Sequence, residues 1–396
     1  MSNRWMGPSL ATAILLAACS RDSVAPELSS PPHPTLSEQA SDEIQVSSLE
    51  TLYSAVNDPT NAGKRIVVAS GTYMLDGTQA HGGRIELQKD MTLAGQLGQQ
   101  DAVVIDASNL SAANLTDGTL VTGAVRMGRG SNTVEWVTVQ NAVKGAASIT
   151  TDLVLAGATT ATIAHVTASG SPRGFDIRNF GAAAAGRVLE VSLTDNELAN
   201  NAIGASQGMR VANLQGAHGA SIHATLSGNY VHGSITGCLA SNVATQSATV
   251  EIESKGDRFE GNGNGCVLIG GLGGASAARG NLVRFAAHTS RFEHNTGGLG
   301  PAFPNRGGIA AYGGASVAAN GAFDNTLELD LHSAKIDDND GPDIAAWGAI
   351  SSAALPAGTG NVASIVLRGA SKKATVNAVD SDPAEPAGTN HVTIVR

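Results

Sequence analysis

From Ile66 onward the apolar residues come in short runs broken by turn formers: Ile66-Val67-Val68, Ile85-Glu86-Leu87, Met91-Thr92-Leu93 and Val103-Val104-Ile105-Asp106. Runs this short, bounded by Gly, Asp and Asn, predict strands, because a helix needs a longer stretch with a 3.6-residue period. One helical signal precedes them. Ser47-Ser48-Leu49-Glu50 has the residue types of a capping box, Leu49, Leu52, Tyr53 and Val56 recur on one face, and Asn57-Asp58-Pro59 stops the element.

The runs repeat along the chain. An apolar pair spaced by two recurs at Val134/Trp136, Ala161/Ile163, Leu189/Val191, Ile222/Ala224, Val250/Ile252, Val283/Phe285, Leu327/Leu329, Ile365/Leu367 and Val392/Ile394, in steps of 27 to 44 residues. Nine residues after most starts lies another apolar position (Val143, Leu198, Val231, Phe259, Phe292, Ile336). Twelve after the start an asparagine recurs: Asn201, Asn262, Asn295, Asn339 and Asn377. An inward apolar side chain followed by Asn suits a coil corner, since Asn tolerates left-handed backbone angles and its amide bonds to the Asn above and below. A third strand then opens on a turn residue and an inward apolar one, at Gly174-Phe175, Gly208-Met209, Gly237-Cys238, Gly265-Cys266, Gly308-Ile309 and Asp343-Ile344. Three strand positions per coil, with corners of variable length, predict a parallel solenoid cored by apolar ladders. An antiparallel sandwich needs evenly spaced hairpins and leaves these unequal steps unexplained.

The order of helix, Val68-Ala69-Ser70-Gly71-Thr72-Tyr73, Thr92-Leu93-Ala94-Gly95 and Val104-Ile105-Asp106 resembles the first turns of the right-handed parallel β-helix, or pectate-lyase-like, superfamily, with Ser70 where a Pro is usual. The fold expected is therefore all-β: a right-handed parallel β-helix of roughly ten coils over residues 44–396, with a short N-terminal capping helix.

The first residues carry a different message. Met1 to Cys19 has one early charge, Arg4, an apolar stretch from Leu10 to Leu16, and then Leu16-Ala17-Ala18-Cys19. This resembles a bacterial lipobox, which implies a signal peptide over 1–18, a diacylglyceryl thioether on Cys19 and a lipid anchor in the envelope. Ser20, by the same resemblance, favours the outer membrane over the inner. Residues 19–43 are rich in Ser, Pro and Glu and too poor in apolar surface to fold, so they read as a disordered tether.

Composition narrows the function classes. The 34 acids against 24 bases give a formal charge of −10 with no basic block, which argues against a nucleic-acid partner. Only 4 % of residues are aromatic, too few to fill an ordinary large core but enough for stacked aliphatic ladders. Of the three cysteines, Cys238 and Cys266 fall at the same place in adjacent coils, which leaves open two buried thiols or a structural disulfide.

Candidate chemistry lies at outward positions of the second strand, which alternate with the inward ones. Three coils set a column of cations (Arg258, Arg291, Lys335) beside a column of acids (Glu260, Glu293, Asp337). These form either a ladder of exposed ion pairs or the wall of a groove for acidic polysaccharide. On the third strand, Tyr312 and Trp347 match one coil apart and by parity face out, where they would lie against sugar faces or under the corner from Thr296 to Gly307. By resemblance to β-helix lyases, Arg or Lys would act as base with calcium neutralising the substrate carboxylate. Glu251 with Glu253, and Glu328 with Asp330, are outward pairs suited to hold that ion or simply to face solvent. His218 and His223 read as surface residues. The family's catalytic signatures are missing: Asp337-Asp338 stands without the His and Arg motifs that should follow it. The expectation is a lipid-anchored envelope protein binding polysaccharide or envelope partners without catalysis, and the alternative is a polysaccharide lyase or hydrolase acting on uronic-acid polymers.

Overall fold

Three long parallel sheets run side by side along the chain in a computed structural model that describes residues 42–118, 120–143, 146–152, 159–201, 206–297, 307–317, 320–351, 358–381 and 389–396. The signal segment, Cys19 and most of the tether lie outside the described residues. The first sheet has twelve strands, from Glu43–Val46 to His391–Val395; the second has nine, from Gly71–Met74 to Lys335–Asp337; the third has ten, from Ile85–Glu86 to Val376–Ser381. Successive strands of each sheet are one coil apart in sequence and parallel, so the chain is a parallel β-helix with nine complete coils among the described residues. Residues 42–396 form one compact unit with its own core.

The core is a set of stacked columns. Ile222, Val250, Val283 and Leu327 stack on the first sheet, and Leu198, Val231, Phe259, Phe292 and Ile336 on the second. Phe175, Met209, Cys238, Cys266, Ile309 and Ile344 stack on the third, all buried. Each side chain meets its like from the coils on either side, so modest aliphatic groups fill the interior without many rings. The Phe259 and Phe292 rings stack at 5.1 Å and 9°.

The glycine before each third-sheet column has a steric cause. A Cβ on Gly174, Gly208, Gly237, Gly265 or Gly308 would stand 2.3 to 2.7 Å from the carbonyl oxygen of the equivalent residue one coil on. Backbone approaches backbone there too closely for any side chain.

The helix Leu49–Asn57 buries Leu52, Tyr53 and Val56 against the first coil's apolar cluster. Ser48 is its N-cap, and the reciprocal partner is Thr51 rather than a carboxylate: Thr51 N donates to Ser48 Oγ, and Ser48 N donates to Thr51 Oγ1.

Several expected positions shift. In the first sheet Val134 lies beside Ile163 rather than Ala161, Ala161 beside Val191 rather than Leu189, Leu327 beside Ala363 rather than Ile365, and Ile365 beside Ile394 rather than Val392, each a slip of two that keeps the side chain on its face. Trp136 is not a ladder residue; it follows its strand in a left-handed conformation, φ 57°, and stacks on His165 at 3.8 Å. Val139, not Val143, takes the second-sheet column. The corner asparagines Asn201, Asn262 and Asn295 are buried and Asn339 is half-buried, with Asn262 N donating to Asn295 Oδ1 and Asn295 N to Asn339 Oδ1. The left-handed residue is the one before each: Asn200, Gly261, His294 and Asp338. The Asn therefore serves as a hydrogen-bond post while its neighbour makes the bend. Asn377 belongs to no such ladder; it sits in the last third-sheet strand beside Ala345.

Candidate functional site

The outer face of the third sheet changes character along the solenoid axis. One outward column reads Glu86, Arg126, Thr150, Asp176, Arg210, Leu239, Val267, Ala310 and Ala345. The column two residues on reads Asp152, Arg178, Ala212, Ser241, Ile269, Tyr312 and Trp347. Both are ionic in the early coils and apolar in the late ones.

The ionic half is a buried network. Asp176 accepts two hydrogen bonds of 2.7 Å from Nε and Nη2 of Arg210 and one of 3.0 Å from Nη1 of Arg178. Asp152 accepts from Nε of both Arg126 and Arg178. Glu86 accepts from Arg84 at 2.8 Å and from Arg126 at 3.2 Å, and Arg129 reaches it at 3.4 Å. The hairpin of Thr116–Asp117 with Leu120–Val121 folds over this end: Asp117 bonds Arg126 at 2.7 Å, the Val121 carbonyl accepts from Arg178, and the Asn114 and Thr116 carbonyls accept from Arg84. Half-buried Arg173, held by Gln207 at 3.0 Å, completes the group. Six arginines thus meet four carboxylates, a surplus of two positive charges on a chain of formal charge −10.

Electrostatics hold these groups in their charged forms. Burial opposes ionisation of Asp176, but Arg210, Arg178 and Arg173 outweigh it and hold the carboxyl well below the usual range. Glu86 is lowered in the same way, burial being overcome by Arg84 and Arg126. Arg126 and Arg178 are raised because the carboxylates overcome their desolvation. Arg173 goes the other way, pushed down to about 10 by burial and by Arg210.

The expected second-sheet columns are present in register. Arg258, Arg291 and Lys335 stack beside Glu260, Glu293 and Asp337. Arg258 pairs with Glu260, Arg291 with Glu293 at 3.9 Å, and Lys335 with both Glu293 and Asp337. Their charges cancel, three against three. At the last of these strands Lys335 and Asp337 border a cleft of about 490 Å³ shared with Asp343 and Lys373.

Tyr312 and Trp347 do stack outward of the core, at 5.1 Å and 16°, but they are not an exposed sugar platform. Tyr312 is fully buried and Trp347 is 7 % exposed, inside a second apolar cluster with Ile269 and Ile350. They also stand on the third sheet, so they do not share one face with the second-sheet charges. Most of the corner from Thr296 to Gly307 offered as their cover, residues 298–306, lies outside the described residues.

Three of the four carboxylates suggested for calcium, Glu251, Glu328 and Asp330, are engaged elsewhere. Arg284 stands between Glu251 and Glu328 and bonds them at 3.0 and 2.7 Å, and Asp330 pairs with Arg368 at 3.2 Å. No cluster of three metal-ligating side chains occurs among the described residues. Cys238 and Cys266 pair in register as buried free thiols, with burial pushing the Cys266 thiol well up. His223 bonds Glu190 at 2.9 Å on the surface, and His218 Nδ1 accepts from Gln246 N.

Fold and face together define a parallel β-helix with a covered ionic cluster on one sheet. No protein-family model matches the chain, and no curated protein sequence matches it either. Among solved structures it is similar to the A-module of a mannuronan C-5 epimerase of Azotobacter vinelandii, at TM-score 0.37 and 13 % identity over 88 % of this chain and 95 % of that one. It is also similar to a pectate lyase, at 0.38 and 16 % over 85 % and 73 %, and to a surface protein and adhesin of Streptococcus pneumoniae, at 0.32 and 10 % over 88 % and 95 %. The fold itself rests on the strand registers given above.

Proposed function

We propose that this protein is an exported, lipid-anchored β-helix that binds acidic polysaccharide at the outer face of its third sheet and does not cleave it. The observation that carries this reading is the surplus of two positive charges in the third-sheet cluster, fixed in place on an otherwise acidic molecule. Fixed cations attract a polyanion, and their half-buried members Arg129, Arg173 and Arg210 are the ones that reach solvent. The second-sheet ladder, being neutral overall, supplies no such field.

The same electrostatics support the non-catalytic reading. A general acid or base works best with a pKa near the working pH. Asp176 and Glu86 are lowered by their arginine partners, and Arg126 and Arg178 raised by their carboxylates, away from that window. Arg173 alone favours the lyase alternative, since its lowered pKa brings a guanidinium closer to proton abstraction. Incubating residues 42–396 with uronic-acid polymers and a neutral glucan tests both. Retention on the acidic polymers that weakens with salt, without the absorbance of unsaturated product with or without calcium, is expected. Equal retention on the neutral glucan overturns the binding reading, and product formation abolished by Arg173→Lys establishes the lyase instead. The anchor is tested separately: Cys19→Ala is expected to leave the chain unprocessed, and wild-type protein free of acyl groups by mass spectrometry overturns it.

A further inference from the structure

At the boundary between the ionic and apolar halves of the third sheet lies a cleft of about 320 Å³. The columns explain why it is there. Ala212 and Ser241 are small side chains in the middle outward column, and larger ones flank them: Arg210 and Leu239 on one side, Phe180, Leu214, Val243 and Leu272 on the other. Three adjacent columns with a low centre make a trough along the axis, and Ile269 of the middle column borders its apolar end.

The lining is apolar apart from Arg210, Ser241 and Gln215, and Arg210 is its one charged group. Asp176 binds the Arg210 guanidinium through Nε and Nη2, so the plane is fixed before any ligand arrives, while Nη1 pairs with no described residue. A pre-set guanidinium loses little freedom on binding an anion. The trough is at the small end of the range for ligand sites, about 300–1,000 Å³.

We propose that this trough binds an amphipathic monocarboxylate, a medium-chain aliphatic acid whose carboxylate meets Arg210 and whose chain lies along Leu239, Ile269 and Val243. A sugar fits these walls poorly. Its hydroxyls would lose water against Leu and Ile side chains, with only Ser241 and Gln215 to replace the lost hydrogen bonds. An aliphatic chain loses nothing by the same burial and gains the hydrophobic term. The trough shares Arg210 with the solvent-facing arginines, but the inference does not rest on polysaccharide binding: decanoate is read by calorimetry and polymer by retention, so either can fail alone.

Calorimetry on residues 42–396 tests it, with decanoate, decan-1-ol and glucuronate as probes below any micellar concentration. Decanoate is expected to bind saturably at one site, at least tenfold tighter than decan-1-ol, which lacks the charge, and than glucuronate, which lacks the chain. Ser241→Leu fills the trough floor and is expected to weaken decanoate at least tenfold with an unchanged melting temperature. Leu239→Glu, which sets a competing carboxylate beside Arg210 from a half-buried position, is expected to do the same and serves if the first variant fails to fold. No saturable binding of decanoate, equal affinity for decan-1-ol, glucuronate binding as tightly, or wild-type affinity in a folded variant each overturns the proposal.

Discussion

Asp176 and Arg210 stand opposite one another on adjacent strands of the third sheet and share two parallel hydrogen bonds of 2.7 Å, with Asp176 1 % exposed. Such a pair is a strong anchor for orientation but contributes little net stability against an apolar pair of the same size, because Asp176 has left water entirely and Arg210 in large part.

Breaking the pair on one side is therefore expected to be worse than removing it. Asp176→Asn leaves the buried Arg178 and the half-buried Arg210 without their shared anion and is expected to destabilise by about 3 kcal/mol. The double variant Asp176→Leu, Arg210→Met is expected to recover most of that in urea unfolding. A single variant as stable as wild type would show that water, not Asp176, neutralises these arginines.

Acid is expected to unfold the cluster late. Asp176 and Glu86 have folded pKa values below their unfolded ones, so their stabilisation is complete above the ordinary carboxylate range and is lost as pH falls through and below it. Unfolding followed from pH 7 down to pH 2 is expected to show its steepest loss at the acid end, and Glu86→Gln to flatten that loss.

Asp257 has the opposite sign. It is fully buried at a corner between the first and second sheets, where its Oδ1 accepts from Asn229 N at 2.7 Å and Nδ2 at 2.8 Å, in a column otherwise held by Asn196 and Asn229. Burial raises its pKa despite the bonds from Ser254 and Asn229, so the folded chain holds a proton that the unfolded chain has released. Stability then falls as pH rises from the ordinary carboxylate range through the raised value and stays level beyond it. Asp257→Asn keeps the acceptor and removes the charge. It is expected to raise neutral-pH stability by about 1 kcal/mol and to abolish that slope, measured by thermal unfolding at pH 4 and pH 7.

Gly237→Ala tests the close approach of the coils. Its Cβ would stand 2.5 Å from the Gly265 carbonyl oxygen, in a backbone held from both sides by neighbouring strands. A loss of about 1–3 kcal/mol is expected from the forced shift. Gly256, with nothing within 4 Å of a Cβ, controls for crowding, though its φ of +68° carries its own strain.

Much of the solenoid was legible because its rules are local. The glycine-apolar openings of the third strand all fall in one register, and the second-sheet charges stack as their spacing implies. Register failed where the strand pattern is uniform: alternation marks a face but does not distinguish one position from the next but one, hence the slips at Val134, Ala161, Leu327 and Ile365. The ionic cluster escaped notice because Asp176-Ile177-Arg178 reads as an ordinary solvated outer face. Its burial depends on a covering hairpin at 116–121, some fifty-five residues earlier in the chain. Opposite charges at matched positions of adjacent coils, Asp152 beside Arg178 and Asp176 beside Arg210, were the available signal.

The column of glycines along the third sheet constrains how such a molecule can change over evolution. Each of these glycines answers to a carbonyl in the next coil, so a coil added or lost by gene duplication must bring its glycine and its corner asparagine along, or the neighbours on both sides no longer fit. Change in length is thereby channelled into whole coils and into the corners between strands, where steps of 27 to 44 residues already record it.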